Sequence, residues 1–248
     1  MTTRIDRRRG RAECWDPMIG SVHLADVGAQ SALGVLRRAP RPATTPGLRH
    51  ANVGLTAPLS GSVLPSPTFS RVGLVAFWDD DDALDRSLSG HPLAAKLAGG
   101  WHVRLDPLRA SGSWPGLPSD VPTKHDVELD GPAAVVTLGR LRLTQTVRFL
   151  RASAKAEGAV VEADGLIWAT GLARPPFVAT CSLWHTTRAL STYAYGHREP
   201  AHAGAIAAHQ LKPFHHESAF IRFRPYGSEG SLDGRNPLAQ TWMSASGR

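Results

Sequence analysis

Trp78-Asp-Asp-Asp-Asp-Ala83-Leu84-Asp-Arg-Ser-Leu-Ser-Gly90-His91 and Trp184-His-Thr-Thr-Arg-Ala189-Leu190-Ser-Thr-Tyr-Ala-Tyr-Gly196-His197 are two versions of one pattern. In both, Ala-Leu follows the tryptophan by five and six residues, and Gly-His by twelve and thirteen. Further on, each copy reaches a strand-like stretch ending in Arg-x-x-Pro, Arg104 to Pro107 and Arg222 to Pro225. Two copies at a period of about a hundred residues are too few and too long for a solenoid. The pattern predicts a duplicated domain.

Working outward from the second copy, Ala133 to Leu138 is β-branched and apolar and predicts a strand. Thr144 to about Ala163 carries Val147, Leu150 and Ala154 at helical spacing, with Thr144 or Thr146 as caps. Leu166 to Leu172 and Phe177 to Trp184 read as strands flanking the break at Pro175-Pro176. A helix opens at Thr186-Thr187, is interrupted at Gly196-His197, and restarts at Pro200 to run to Gln210. Glu217 to Tyr226 is the last strand, with Ala219, Ile221 and Phe223 on one face and Phe220, Arg222 and Arg224 on the other. That order is βαββαβ, the ferredoxin-like arrangement. The first copy follows it through strands at Val22–Val27, Leu48–Leu55, Val72–Trp78 and Trp101–Leu108, with helices at Ala32–Arg38 and Asp82–Leu97. The expected class is α+β: tandem ferredoxin-like repeats forming a fused, dimeric α+β-barrel-like fold with a ligand cavity between sheet and helices.

These boundaries divide the chain into a disordered basic tail (1–20), a first repeat (21–110), a Pro/Gly/Ser-rich linker (111–131), a second repeat (132–227) and a flexible tail (228–248). Residues 1–12 hold Arg4, Arg7, Arg8, Arg9 and Arg11 against Asp6, so four of the seven net positive charges sit there. The body is only mildly basic and has no Lys/Arg stripe interleaved with aromatics, so specific nucleic-acid binding is not expected. No apolar run approaches eighteen residues, which excludes a transmembrane helix but leaves peripheral membrane contact open. Arg8-Arg9 is followed by no apolar stretch of the kind an export signal needs. Two cysteines, Cys14 and Cys181, are too few for a disulfide framework, and a reduced, cytoplasmic protein is expected. Cys181 lies in an apolar strand and reads as a packed thiol.

Asp79 to Asp82 stands at a strand-to-helix junction, where carboxylates cap free N–H groups; the alternative is a hard-cation site. Six of the eleven histidines lie from His185 to His216. His202, Ile206 and His209 fall at i, i+4 and i+7, so both imidazoles share a helix face with an apolar residue. The position matching His202 in the first copy is Lys96, so His202 belongs to the second copy alone. His91 and His197 hold one place in the repeat and read as scaffold at a helix break. No CxxC, HExxH or HxH spacing accompanies His215-His216, which argues against zinc. Arg222 is either an anion clamp facing the cavity or a charge facing solvent.

Several of these segments together resemble one family. Phe177-Val-Ala-Thr-Cys-Ser-Leu-Trp184, Tyr193-Ala-Tyr195, Pro200-Ala-His202 and Glu217-Ser-Ala-Phe220-Ile-Arg222-Phe223 are similar to the C-terminal half of spheroidene monooxygenase-like proteins, which are carotenoid ketolases. Ala32-Leu33 with Leu36-Arg37, Pro46-Gly47-Leu48-Arg49 and Gly112-Ser-Trp114 extend the match more loosely through the first half. The sequence departs from the family at Gly196-His197-Arg198-Glu199, and at His50-Ala51 in place of a Phe-Trp pair. The resemblance implies a haem-containing oxygenase on a barrel-like α+β scaffold. By position it makes His202 the candidate haem-iron ligand, with His209 as the second choice. It gives Arg222 a haem propionate or a distal polar role. An apolar small-molecule substrate of carotenoid or terpenoid type and an unidentified electron donor follow from the same resemblance. The alternatives are a non-catalytic ligand-binding or dimerisation module and a cofactor-free oxygenase.

Overall fold

The computed structural model describes residues 3–4, 18–123, 131–195, 213–239 and 241. In chain order the elements are β1 (Thr3–Arg4), β2 (Ile19–Asp26), α1 (Ala29–Arg37), β3 (Leu48–Ala57), β4 (Thr68–Trp78), α2 (Asp81–Gly90), α3 (Pro92–Leu97) and β5 (Trp101–Gly112). The second half continues with β6 (Ala133–Leu141), α4 (Thr146–Val161), β7 (Leu166–Arg174), β8 (Phe177–Trp184), α5 (Thr187–Tyr195) and β9 (His215–Gly230). Strands β2 to β9 form one antiparallel sheet in the order β9-β5-β2-β4-β3-β7-β8-β6, and β6 pairs back with β9 to close it. The result is an α+β protein built on a closed eight-stranded barrel. The short β1 pairs with β9 through Thr3 and Arg4.

Both halves use the same pairing scheme, β5-β2-β4-β3 and β9-β6-β8-β7, with the first strand of each half lying between its third and fourth. The halves join along two seams of unequal length. β5 and β9 pair from Trp101↔Gly230 to Gly112↔Ala219, whereas β3 and β7 meet only through Leu55–Ala57 and Gly171–Ala173. Alternation along each strand sends one set of side chains inward. Val22, Leu24, Phe77, Val103, Leu138, Leu183, Ile221 and Phe223 fill the barrel. Their packing is dense: a Cβ added at Gly73 would come within 2.2 Å of a Leu172 methyl. The barrel interior is therefore a core. Each large side chain removed from water contributes about 1.5–3 kcal/mol.

The outward faces of the two half-sheets carry the helices. Leu84, Leu93 and Leu97 from α2 and α3 pack with Val53, Leu74 and Trp78 in the first half. Leu190 and Tyr193 of α5 pack with Ala133, Val135 and Trp184 in the second. The expected single helix over Asp82–Leu97 is two helices, because His91 ends α2 and its Nδ1 accepts from Leu93 N at 3.1 Å to cap α3 ahead of Pro92. His91 is thus scaffold at the break. Between sheet and helices the first half leaves a void of about 20 Å³, room for a water molecule and no larger ligand.

Three segments read as linker or tail are partly structural. β5 runs on through Pro107 to Gly112, and a register shift between Pro107 and Arg109 absorbs the imino acid in the ladder. Trp114 and Val121, each 4% exposed, come from the proline-rich stretch and close one end of the core. β9 continues to Gly230, and Leu238 beyond it is fully buried. At the other terminus Met18 and Ile19 are buried, so ordered structure begins before residue 21.

Candidate functional site

The four aspartates after Trp78 have separate structural tasks. Asp80 caps α2 by accepting from Ala83 N at 2.8 Å, and Asp79 accepts from Arg49 Nε at 2.7 Å. Asp81 accepts from Arg104 Nη1 at 3.0 Å and from the Tyr226 hydroxyl at 2.7 Å, while Asp85 takes the other Arg104 nitrogen at 2.5 Å. Arg104 is 4% exposed in its side chain, so both carboxylates neutralise a guanidinium held under α2. Beside it, His23 and His102 stack across β2 and β5 with ring centroids 5.1 Å apart. His23 Nε2 lies 3.0 Å from Ser21 Oγ, which also accepts from Trp78 Nε1 at 2.9 Å. Burial holds the His23 imidazole well below its usual pKa, and neighbouring His102 and Arg104 push the same way. Two carboxylates thus meet one buried guanidinium on this side of the molecule.

Arg222 occupies the corresponding place on β9 and is buried to 4% exposure. It faces Val135 across the ladder and shares its strand face with Phe220. Val135 and Phe220 belong to the apolar layer of Trp184, Leu190 and Tyr193 under α5, with the Trp184 and Tyr193 rings 5.2 Å apart. Arg222 therefore lies on the helix-facing side of the second half-sheet, not the solvent side. The positions that give Asp81 and Asp85 in the first half, three and seven residues after the tryptophan, are Thr187 and Ser191 here. A hydroxyl-bearing pair thus stands where the first half has two carboxylates. A buried guanidinium among aromatic and aliphatic groups is suited to holding a carboxylate or an oxygen that gains negative charge.

His202 and His209, the other expected cofactor residues, lie outside the described residues, as does His197. α5 leads directly into that stretch from Tyr195. His215, the first residue of β9, lies in edge contact with Phe149, ring centroids 5.3 Å apart, away from Arg222. Cys181 points into the barrel core, where burial pushes its thiol pKa up to about 12 and leaves no thiolate for nucleophilic work. The replacement of Asp81 and Asp85 by Thr187 and Ser191 was readable from the repeat, but its meaning depended on Arg104 contacting both carboxylates.

The strand order and the closed sheet define an α+β barrel whose two halves share ferredoxin-like topology. Its structure superposes on aldoxime dehydratase in complex with butyraldoxime with a TM-score of 0.52, at 9% identity, over 92% of this chain and 84% of that one. This likeness is one of fold. Spheroidene monooxygenase of Rubrivivax gelatinosus is 32% identical over 196 residues, 77% of this chain and 73% of the relative. The enzyme of the same name from Rhodobacter capsulatus is 27% identical over 183 residues, 71% of this chain and 75% of the relative. No family model matches the chain. The chain belongs to the spheroidene monooxygenase family, a family of oxidoreductases.

Proposed function

We propose that the protein is a haem-dependent monooxygenase acting on an apolar small molecule of carotenoid or terpenoid type, and that its halves are duplicated ferredoxin-like repeats. Family membership supports the reaction class. The observation that supports the cofactor reading is a cationic side chain, Arg222, buried on the helix-facing side of the second half-sheet beside Val135 and Phe220.

His202 would hold the haem iron, with His209 as the second choice. Arg222 would bind a propionate or serve as a polar group toward the substrate, and Trp184, Tyr193 and Phe220 would wall the site from water. Bound haem would supply the activation of dioxygen. In the overall reaction one oxygen atom enters the substrate and the other leaves as water, with two electrons and two protons from an external donor. The test is reconstitution of the purified full-length chain with haem. The expected result is a Soret band that shifts when the protein is reduced under carbon monoxide, and that is altered by His202→Ala. Absence of a Soret band after reconstitution contradicts the proposal. A band unchanged in His202→Ala keeps haem and moves the ligand to His209 or His197.

A further inference from the structure

The short β3–β7 seam leaves the barrel wall open beyond Ala173, and a cleft of about 290 Å³ occupies the gap. Arg37 and Arg41 border it from the end of α1 and the turn that follows, Arg140 and Arg174 from the ends of β6 and β7, and His50 and Asn52 from β3. No carboxylate lines it among the described residues. Its volume is near the lower end of the range for small-molecule sites.

The cleft is more than a set of solvated arginines. Arg140 lies over the Trp114 ring, 5.6 Å from its centroid, with Glu217 at 3.4 Å on its far side. Arg174 donates to the Leu36 carbonyl at 2.8 Å. Both guanidiniums are therefore held at the rim by packing and a hydrogen bond. Asn52 is 9% exposed and its Oδ1 accepts from Trp114 Nε1 at 3.0 Å, which fixes the floor. His50 Nε2 is buried and has no hydrogen-bond partner among the described residues. Burial lowers the His50 pKa, with the Asn52 bond opposing this and Arg140 and Glu217 acting in opposite directions, and a neutral imidazole can donate one N–H. Four like charges around one opening repel each other, and only Glu217 offsets one of them. A multiply charged anion relieves that repulsion, and guanidinium forks match phosphate oxygens two at a time.

We propose that this cleft is a binding site for a small, soluble, phosphate-bearing anion, separate from the face that holds Arg222 and independent of the haem reading. Inorganic pyrophosphate is the probe, titrated calorimetrically into the full-length protein at fixed salt. Arg37 and Arg41 are exposed, so Arg37→Gln and Arg41→Gln keep the fold, while Arg174→Gln reports on an anchored group. The expected result is saturable binding of one pyrophosphate per chain, weakened about tenfold by each substitution, in line with the strength of charge-assisted pairs. Arg151→Gln, an exposed change on α4, should leave affinity unchanged. Three outcomes overturn the proposal. These are no saturable heat, wild-type affinity in Arg41→Gln and Arg174→Gln, or equal loss in Arg151→Gln, which would assign the binding to net charge alone.

Discussion

Arg104 donates to Asp81 at 3.0 Å, tying the fourth strand of the first half to the first turn of α2. Asp85 takes the second nitrogen, so a nearly buried cation is matched by two partly exposed carboxylates. Arg104→Leu removes the cation and leaves Asp81 and Asp85 facing an apolar layer. Breaking a buried pair costs 3–5 kcal/mol, and the exposure of the aspartates reduces this to about 2–4 kcal/mol. The urea midpoint should fall accordingly, with the denaturant slope unchanged.

His23 makes stability depend on pH with a defined sign. Its folded pKa lies well below the ordinary value of 6.5. The unfolded chain therefore binds a proton near that pH that the folded chain refuses. The contribution is fully present above pH 6.5 and is lost as pH falls from there toward the folded value. Thermal melts between pH 8 and pH 5 should show a decreasing midpoint. His23→Gln should flatten the decrease without abolishing it, because burial lowers His102 and His50 as well.

Gly165 and Gly47 make the same contact in the two halves. Gly165 has φ +81°, and a Cβ there would come within 2.6 Å of the Ala189 methyl; Gly47 has φ +77° and would meet the Ala83 methyl at 2.4 Å. Gly165→Ala and Gly47→Ala combine left-handed backbone strain with overpacking, at about 2–4 kcal/mol each. Chemical denaturation should give similar losses for the two variants. A large loss in one and none in the other would show that the halves are not equivalent at this joint.

Cys181 should be inert in the folded protein. It is fully buried and its pKa is pushed up to about 12. In a Cys14→Ser background, a chromogenic disulfide reagent at pH 8 should label no thiol in native buffer and one per chain in urea. Prompt native labelling would mean that the barrel core opens readily at β8.

The paired sequence pattern falls on residues with matched jobs in the two halves. Glycine before β3 and β7 is required by positive φ and by the alanine against it, and Asp80 and Thr186 each accept from the amide three residues on. Strand alternation likewise separated Ile221 and Phe223 from Arg222, while which way Arg222 faces came only with the sheet: Ile221 and Phe223 point into the barrel and Arg222 is buried on the other face. The burial of Trp114, Val121 and Leu238 was not legible, because each is an isolated apolar residue with no periodicity to mark it as core. Their burial follows from how the barrel end closes. The His23–His102 stack and the arginine cleft also needed the topology, since β2 meets β5, and β3 splays from β7, only after the sheet has closed.

The central claim is that two arginines at one place in the repeat have diverged, Arg104 serving the fold and Arg222 serving a cofactor. The most direct measurement is haem affinity, by titration of cofactor-free protein followed at the Soret band, paired with urea midpoints for Arg104→Leu, Arg222→Leu and Arg222→Lys. The account predicts about tenfold or greater loss of haem affinity in Arg222→Leu, partial recovery in Arg222→Lys, and a lowered midpoint with unchanged affinity in Arg104→Leu. Haem binding that is absent, or that is indifferent to Arg222, would contradict it.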